Sequence, residues 1–331
     1  MKRRTAIILM LALCLSLFGG CKTTIEYVSR TITTSTALTE DQLFRIGKDV
    51  FNVDEAKVFL LSEKSRMAGV YGDQIFGVLS GGQTIGAYMK EDLKNFLTKM
   101  MILNQMAADK GLVLNQTEED RILAAATEFY NGLTTEDKQY LNATQESVEL
   151  AFRHYYWMQK MINSVAEGMN LEISDDEARV IQVQQIVVSS IEKAEQVMSK
   201  IQDGSEFANL SAVYNESPVF DRTLTRNDID DTYENAVFSL SNGEYSTIFS
   251  SGDQFYIVKV INNYIVDQTM ANKTTIANQM VTEQMNAEYS HYLETLEPTL
   301  FNDDAWGALT FEDGYLLGGS SFYTVYSHVF S

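Results

Sequence analysis

The feature that most limits the fold of this chain is a change of hydrophobic period. From Asp41 to about Glu177 the apolar residues recur at helical spacing, as in the stripe Leu93, Phe96, Met100 and Leu103. The segment Gln182–Val188, read QVQQIVV, then takes the period of a strand, and Phe255–Ile261, read FYIVKVI, takes it again. Between them three short helices are predicted. Ala194, Val197, Met198 and Ile201 form a stripe that ends at Gly204, opened by a Ser189/Glu192 capping box. Phe207, Leu210 and Tyr214 follow Ser205, and Tyr233, Ala236, Val237 and Leu240 follow Thr232. Gly243 and the turn Ser251-Gly252-Asp253-Gln254 frame a closing hairpin. The order strand, helix, helix, helix, strand, strand describes a small α+β unit with one antiparallel hairpin.

The flanking segments divide around that unit. Residues 41–177 are predicted as a mostly helical domain: Gly111 closes one helix, Thr117 opens the next, and a Ser174–Glu177 capping box opens a new element. The unit occupies 178–263. A late amphipathic helix lies in 264–298, with Val281, Met285, Tyr289, Leu293 and Leu296 at helical spacing and Pro298 ending it. Because the small unit is already complete, this helix is expected to pack back on the N-terminal helices. Residues 299–331 are aromatic and Gly-rich; their role is unassigned, an added hairpin being the one pattern they suggest.

The first residues set the compartment. Lys2, Arg3 and Arg4 precede an apolar run from Ala6 to Phe18, too short for a membrane span of about 20 residues, and Gly19 and Gly20 lead into Cys21. Residues 1–20 therefore read as a signal peptide. Cys21 stands where a lipobox keeps its cysteine, with Phe18 in place of the usual Leu; ordinary cleavage near Gly20 is the alternative. Residues 21–40, rich in Thr and Ser, read as a lipid-anchored tether. The chain has two cysteines, and cleavage before Cys21 removes Cys14, so no intramolecular disulfide is expected. Acidic residues outnumber basic ones 45 to 25, a net charge of -20 that repels phosphate backbones, so nucleic acid is not an expected partner.

Several motifs carry no chemistry. Gly77–Thr84, GVLSGGQT, has P-loop spacing with Gln83 in place of the lysine that meets the phosphates. Asp228, Asp230 and Asp231 lack the turn glycine and distal Glu of a calcium loop. The three histidines, His154, His291 and His328, are scattered, so no metal site and no cofactor is expected. His154, beside an aromatic stripe, reads as structural.

The segments QQIVV, AEQVMSKIQDGSEFANLSAVYNES, NAVFSLSNGEYS and FYIVKV, in that order, resemble a parvulin-type peptidyl-prolyl isomerase domain. GSEFANLSAVYNES resembles that family's second helix, and AVFSLSNGEYS its third helix and following turn. With a helical N-terminal domain and a late returning helix on an exported chain, residues 41–297 are similar to extracytoplasmic foldases of the PrsA and SurA type. The resemblance implies an α+β architecture: a mostly helical chaperone domain completed by a late C-terminal helix, with an inserted parvulin-like domain. It also implies unfolded or partly folded exported polypeptides as partners, with the membrane reached through the N-terminal lipid anchor.

Active members of the family line a proline pocket with two histidines, a Cys or Asp, a Met and a Phe. Laid onto this chain, those positions fall on Gln185, Tyr256, Ser217, Ile229 and Tyr233, and none matches. The Gly-rich Asp-Leu-Gly turn expected between Ser217 and Thr232 is also missing. Two functions follow. One is a lipid-anchored chaperone whose isomerase domain has a substituted site and serves as a binding surface, with isomerase activity weak or lost. The other is a divergent isomerase in which Gln185, Ile229, Tyr233 and Tyr256 still form a working pocket. An envelope scaffold is a third class.

Overall fold

The computed structural model describes residues 33–34 and 38–331; Cys21, the signal segment and most of the tether lie outside the described residues. Along the chain the strands are β1 Thr33–Thr34, β2 Gln42–Ile46, β3 Asp49–Asn52, β4 Leu79–Ser80, β5 Gln83–Thr84, β6 Ile181–Val188, β7 Asp221–Leu224, β8 Phe249–Ser251, β9 Gln254–Asn262 and β10 Leu300–Phe301. The helices are α1 Val53–Tyr71, α2 Ile85–Asp109, α3 Gln116–Gly132, α4 Thr135–Leu141, α5 Gln145–Glu167, α6 Ile191–Gln202, α7 Phe207–Tyr214, α8 Asp231–Val237, α9 Val266–Leu293, α10 Asp303–Ala308 and α11 Phe322–Phe330. The fold is α+β, in two compact units. One joins the described residues up to Met169 with Val281–Ser331, and the other is Asn170–Met280.

The first unit is helical but opens on a hairpin that the helical pattern hid. Ile46 faces Asp49 across a turn at Gly47, whose φ of 56° suits a residue without Cβ. A register shift between Gln42 and Phe44 buries both Leu43 and Phe44, and this bulge erases the period of two that marks a strand. β10 pairs antiparallel with β2 and parallel with β1, giving a sheet in the order β1-β10-β2-β3. The boundary between the units falls inside α9, so the segment expected as one returning helix is shared between them. Its second half meets α2: Glu288 pairs with Lys110 at 2.7 Å and Tyr289 lies beneath Lys99.

Residues 299–331 complete the core of this unit. No hairpin forms there beyond the β10 pairing; instead α11 inserts Phe322, fully buried, 4.1 Å from the ring of Phe152 and 4.8 Å from that of Phe59. The approach is close enough that a Cβ on Gly319 would meet the Gly132 carbonyl oxygen at 2.3 Å. The segment also satisfies polar groups that α1 and α4 bury. Ser62 Oγ accepts from Phe322 N–H at 2.9 Å, Lys64 pairs with Asp313, and Asp137 accepts from the Tyr315 hydroxyl at 2.9 Å. His154 is held by Glu55 at 2.9 Å, beside Phe51.

The second unit is an antiparallel sheet in the order β7-β6-β9-β8. β7 is a strand that the hydrophobic pattern missed. Its sequence, Asp-Arg-Thr-Leu, carries the charges typical of a sheet edge. The Ser174 cap is present, with Glu177 N–H donating to Ser174 Oγ at 3.1 Å, yet it closes a turn with no helix behind it, because β6 begins at Ile181. Helix starts also shift by a residue or two, with Ser190, Glu206 and Asp230 as the N-caps of α6, α7 and α8.

Both faces of the sheet are covered. Ile186, Val188 and Ile257 meet Ala194, Val197, Phe207 and Leu210 of α6 and α7. Ile181, Val183, Val258 and Val260 meet Tyr233, Val237 and Phe238 at α8. A central strand between two cores is expected to be apolar at its buried positions, and β6 is so except at Gln185.

Candidate functional site

Gln185 lies on the α8 face, because the side chains of a strand alternate and Ile181 and Val183 already belong to that core. Gln182 and Gln184 take the other direction, and the Gln184 amide donates to Asp221 at 3.1 Å. Only 4% of Gln185 is exposed, so its amide needs partners inside the protein. It has two: Nε2 donates to the Val219 carbonyl at 3.1 Å, and Oε1 accepts from the Tyr233 hydroxyl at 2.9 Å.

Tyr233 reaches Gln185 because Asp230 caps α8. The Asp230 carboxylate accepts from Tyr233 N–H at 3.0 Å and from the Ser251 hydroxyl, tying the helix to β8. The Ser251 hydrogen bond, with the backbone N–H of Tyr233, keeps the Asp230 carboxyl below the usual range. The Tyr233 ring is 2% exposed. Phe249 meets it edge-on at 5.2 Å and Tyr256 at 5.5 Å, and those two rings stack on each other at 5.5 Å. Burial pushes the Tyr233 phenol up to about 12, with Arg222 pulling in the opposite sense.

Four of the five positions singled out by resemblance converge on this face. Gln185 and Tyr233 share a hydrogen bond, Tyr256 packs on Tyr233, and Ile229 packs against the same apolar cluster. The fifth, Ser217, is spent on a local turn: its Oγ accepts from Val219 N–H at 3.1 Å, and its own N–H donates to Asn215 Oδ1 at 3.3 Å. Its link to the cluster is indirect, through the Val219 carbonyl that holds Gln185. The neighbouring Glu216 also binds the edge of β6, accepting from Ser189 N–H at 2.8 Å while paired with Lys193.

Phe249 and Arg222 belong to the site and were not predicted from the sequence. Arg222 lies opposite Val183 in the β6–β7 register, which gives both the same face, and its guanidinium sits 5.4 Å from the Tyr233 ring centroid. The signal available was the spacing of Arg222 and Leu224, two residues apart and on one face of a short strand. Asp228 and Asp230, considered above as calcium ligands, act as caps: Asp228 accepts from Thr225 N–H at 3.1 Å.

Chemically the cluster is an apolar floor with one polar strut. Gln185 retains one N–H and one lone pair, but both amide ends are already anchored. No group in it changes charge near neutral pH, and residues 170–280 contain no histidine.

The comparisons follow this geometry. Residues 172–268 match the family described as the PPIC-type PPIASE domain. No curated protein matches the chain. Among solved structures, the peptidylprolyl isomerase PrsA from Bacillus cereus is 14% identical, with 77% of this chain and 98% of that chain covered and a TM-score of 0.37. Foldase protein PrsA from Lactococcus lactis is 13% identical, with 87% and 98% covered and a TM-score of 0.32. A SurA-like chaperone from Campylobacter jejuni is 11% identical, with 78% and 98% covered and a TM-score of 0.29. At TM-scores below 0.5 these overlays carry no weight, and the assignment rests on the family match over the sheet and helices just described. Over residues 172–268 the chain is thus similar to the PPIC, or parvulin, type of peptidyl-prolyl isomerase domain.

Proposed function

We propose that this protein is a lipid-anchored extracytoplasmic chaperone for exported polypeptides, whose parvulin-type domain binds extended segments and turns prolines over weakly or not at all. Cys21 carries the acyl chains, and residues 22–32 link it to the first described strand. The observation that carries the reading is the buried 2.9 Å hydrogen bond from Tyr233 to Gln185, at the position where the resemblance puts a histidine.

The barrier to rotation about an X-Pro bond is about 18–20 kcal/mol, and catalysis requires groups that bind the twisted amide better than the planar one. Gln185 is held from both sides and almost wholly buried, so it serves as a strut under Tyr233 and does not reach a substrate carbonyl. Tyr256, Phe249 and Ile229 are half-buried and offer aromatic and aliphatic surface to an unfolded chain. Such a surface binds without discriminating between planar and twisted amides, which lowers the free energy of the complex and leaves the barrier unchanged.

The test adds purified protein to an unfolded client whose refolding has a proline-limited phase. Suppressed aggregation with the slow phase unchanged is the expected result; absence of suppression overturns the reading.

A further inference from the structure

We propose that one corner of the first unit, made by the end of α1, the β4–β5 hairpin and the start of α2, lies against the bilayer that holds the Cys21 anchor. This rests on the reading of Cys21 as acylated and adds where the folded chain meets the lipid. Five large apolar side chains are exposed at that corner: Val70, Tyr71, Val78, Tyr88 and, at 73%, Leu79. The backbone draws them together. α1 ends at Tyr71, a single 3₁₀ turn over Asp73–Gly77 leads into the hairpin, and Ile85 N–H returns to the Val78 carbonyl at 2.9 Å. Tyr88 leans on the hairpin turn, where a Cβ on Gly81 would meet its hydroxyl at 3.0 Å. Phe76, buried against Phe311, pins the corner from beneath and leaves its neighbours facing out. An apolar patch left exposed on a folded unit marks a contact surface.

Charge and position select lipid as what covers it. From Met67 to Met89 the one charged side chain is Asp73, in a chain of which 21% is charged. A net charge of -20 opposes approach to anionic headgroups, whereas this corner has little charge to desolvate. Tyr71 and Tyr88 have the amphipathic rings that settle at headgroup level, and Val70, Val78 and Leu79 can reach the acyl boundary below. The tether also joins the fold nearby. β5 runs directly into α2 at Ile85, and Lys94, about 14 Å further along that helix, lies 4.0 Å from the centre of the Phe301 ring. Phe301 pairs with Thr34 of β1, the first described strand after Cys21. Residues 22–32 span at most ~40 Å, so an anchor at Cys21 keeps this corner within reach of the bilayer.

The experiment uses the mature lipidated protein, in which Ser80→Cys adds a single free thiol beside Leu79. It is labelled there with a fluorophore and reconstituted into phosphatidylcholine vesicles whose acyl chains carry bromine as a quencher. Val113→Cys, exposed beyond the far end of α2, about 36 Å along it, is the reference. The Ser80 label is expected to be quenched and the Val113 label not. Val78→Ser with Leu79→Asp, both at exposed positions, should abolish that quenching while hydrogen-exchange protection of α2 stays native. Adding phosphatidylglycerol should weaken the quenching at low salt, and raised salt should restore it. An unquenched Ser80 label on protein that floats with the vesicles, or equal quenching at both labels, overturns the inference and leaves the anchor intact. A Ser80 label that escapes lipid but responds to an unfolded client, or to a second copy of the chain, overturns it in favour of that occupant. Protein that does not float with the vesicles overturns the anchored reading, and the inference falls with it.

Discussion

The two faces of one sheet in the second unit are built on different principles. On the α6/α7 face, Ile186, Val188 and Ile257 meet Ala194, Val197, Phe207 and Leu210 in a buried apolar cluster. On the α8 face the same strands carry Gln185 and Tyr256, with Tyr233 and Arg222 added from neighbouring elements. A buried amide and phenol cost desolvation that an aliphatic pair does not, so a domain selected for stability alone would have two faces like the first. The difference is what supports the proposed reading of the α8 face as a binding surface.

That contrast can be broken or sharpened, beginning with the largest effect. Phe207→Ala on the apolar face removes a buried ring and should cost about 3–5 kcal/mol, read as lost hydrogen-exchange protection of the β6 and β9 amides. Tyr233→Phe should cost less, about 1–3 kcal/mol, because it leaves Gln185 Oε1 unsatisfied; adding Gln185→Leu should recover much of the loss. A double variant as unstable as the sum of its parts would mean that the hydrogen bond does not couple them.

The Tyr233 phenol gives a pH signature confined to the same face. A phenol raised from 10.0 to about 12 contributes stability that is fully present below pH 10 and is lost as pH rises through 10 toward 12. Absorbance titration should show one fewer late-ionising tyrosine in Tyr233→Phe, and the alkaline loss of β6 protection should shrink in the same variant. Smallest of all, Glu216→Gln breaks a solvent-accessible pair with Lys193 and should leave stability nearly unchanged in a denaturant titration.

Much of the second unit could be read in the chain because its signals are local. The strand period of QVQQIVV and FYIVKVI placed β6 and β9, and Gly204 and Gly243, both at positive φ, marked ends of elements. β7 was hidden because an edge strand of four residues with Asp and Arg has no continuous apolar pattern. Arg222 was hidden with it, since its role comes from register against Val183 and not from its neighbours in sequence. The hairpin of β2 and β3 was lost to the bulge at Gln42–Phe44. The aromatic C-terminal segment was illegible for another reason: Phe322 and Asp313 join the core through partners more than 150 residues away, such as Phe152 and Lys64. Periodicity cannot report a core assembled from distant segments.

The most direct test of the central claim is two-dimensional NMR exchange on a short X-Pro peptide in the presence of the protein. The account predicts that the peptide resonances broaden on binding while the cis–trans cross-peaks build up at or close to the uncatalysed rate. Cross-peaks that grow faster with added protein, and lose that gain in Tyr233→Phe, would show that the Gln185–Tyr233 pair supports turnover and would contradict it.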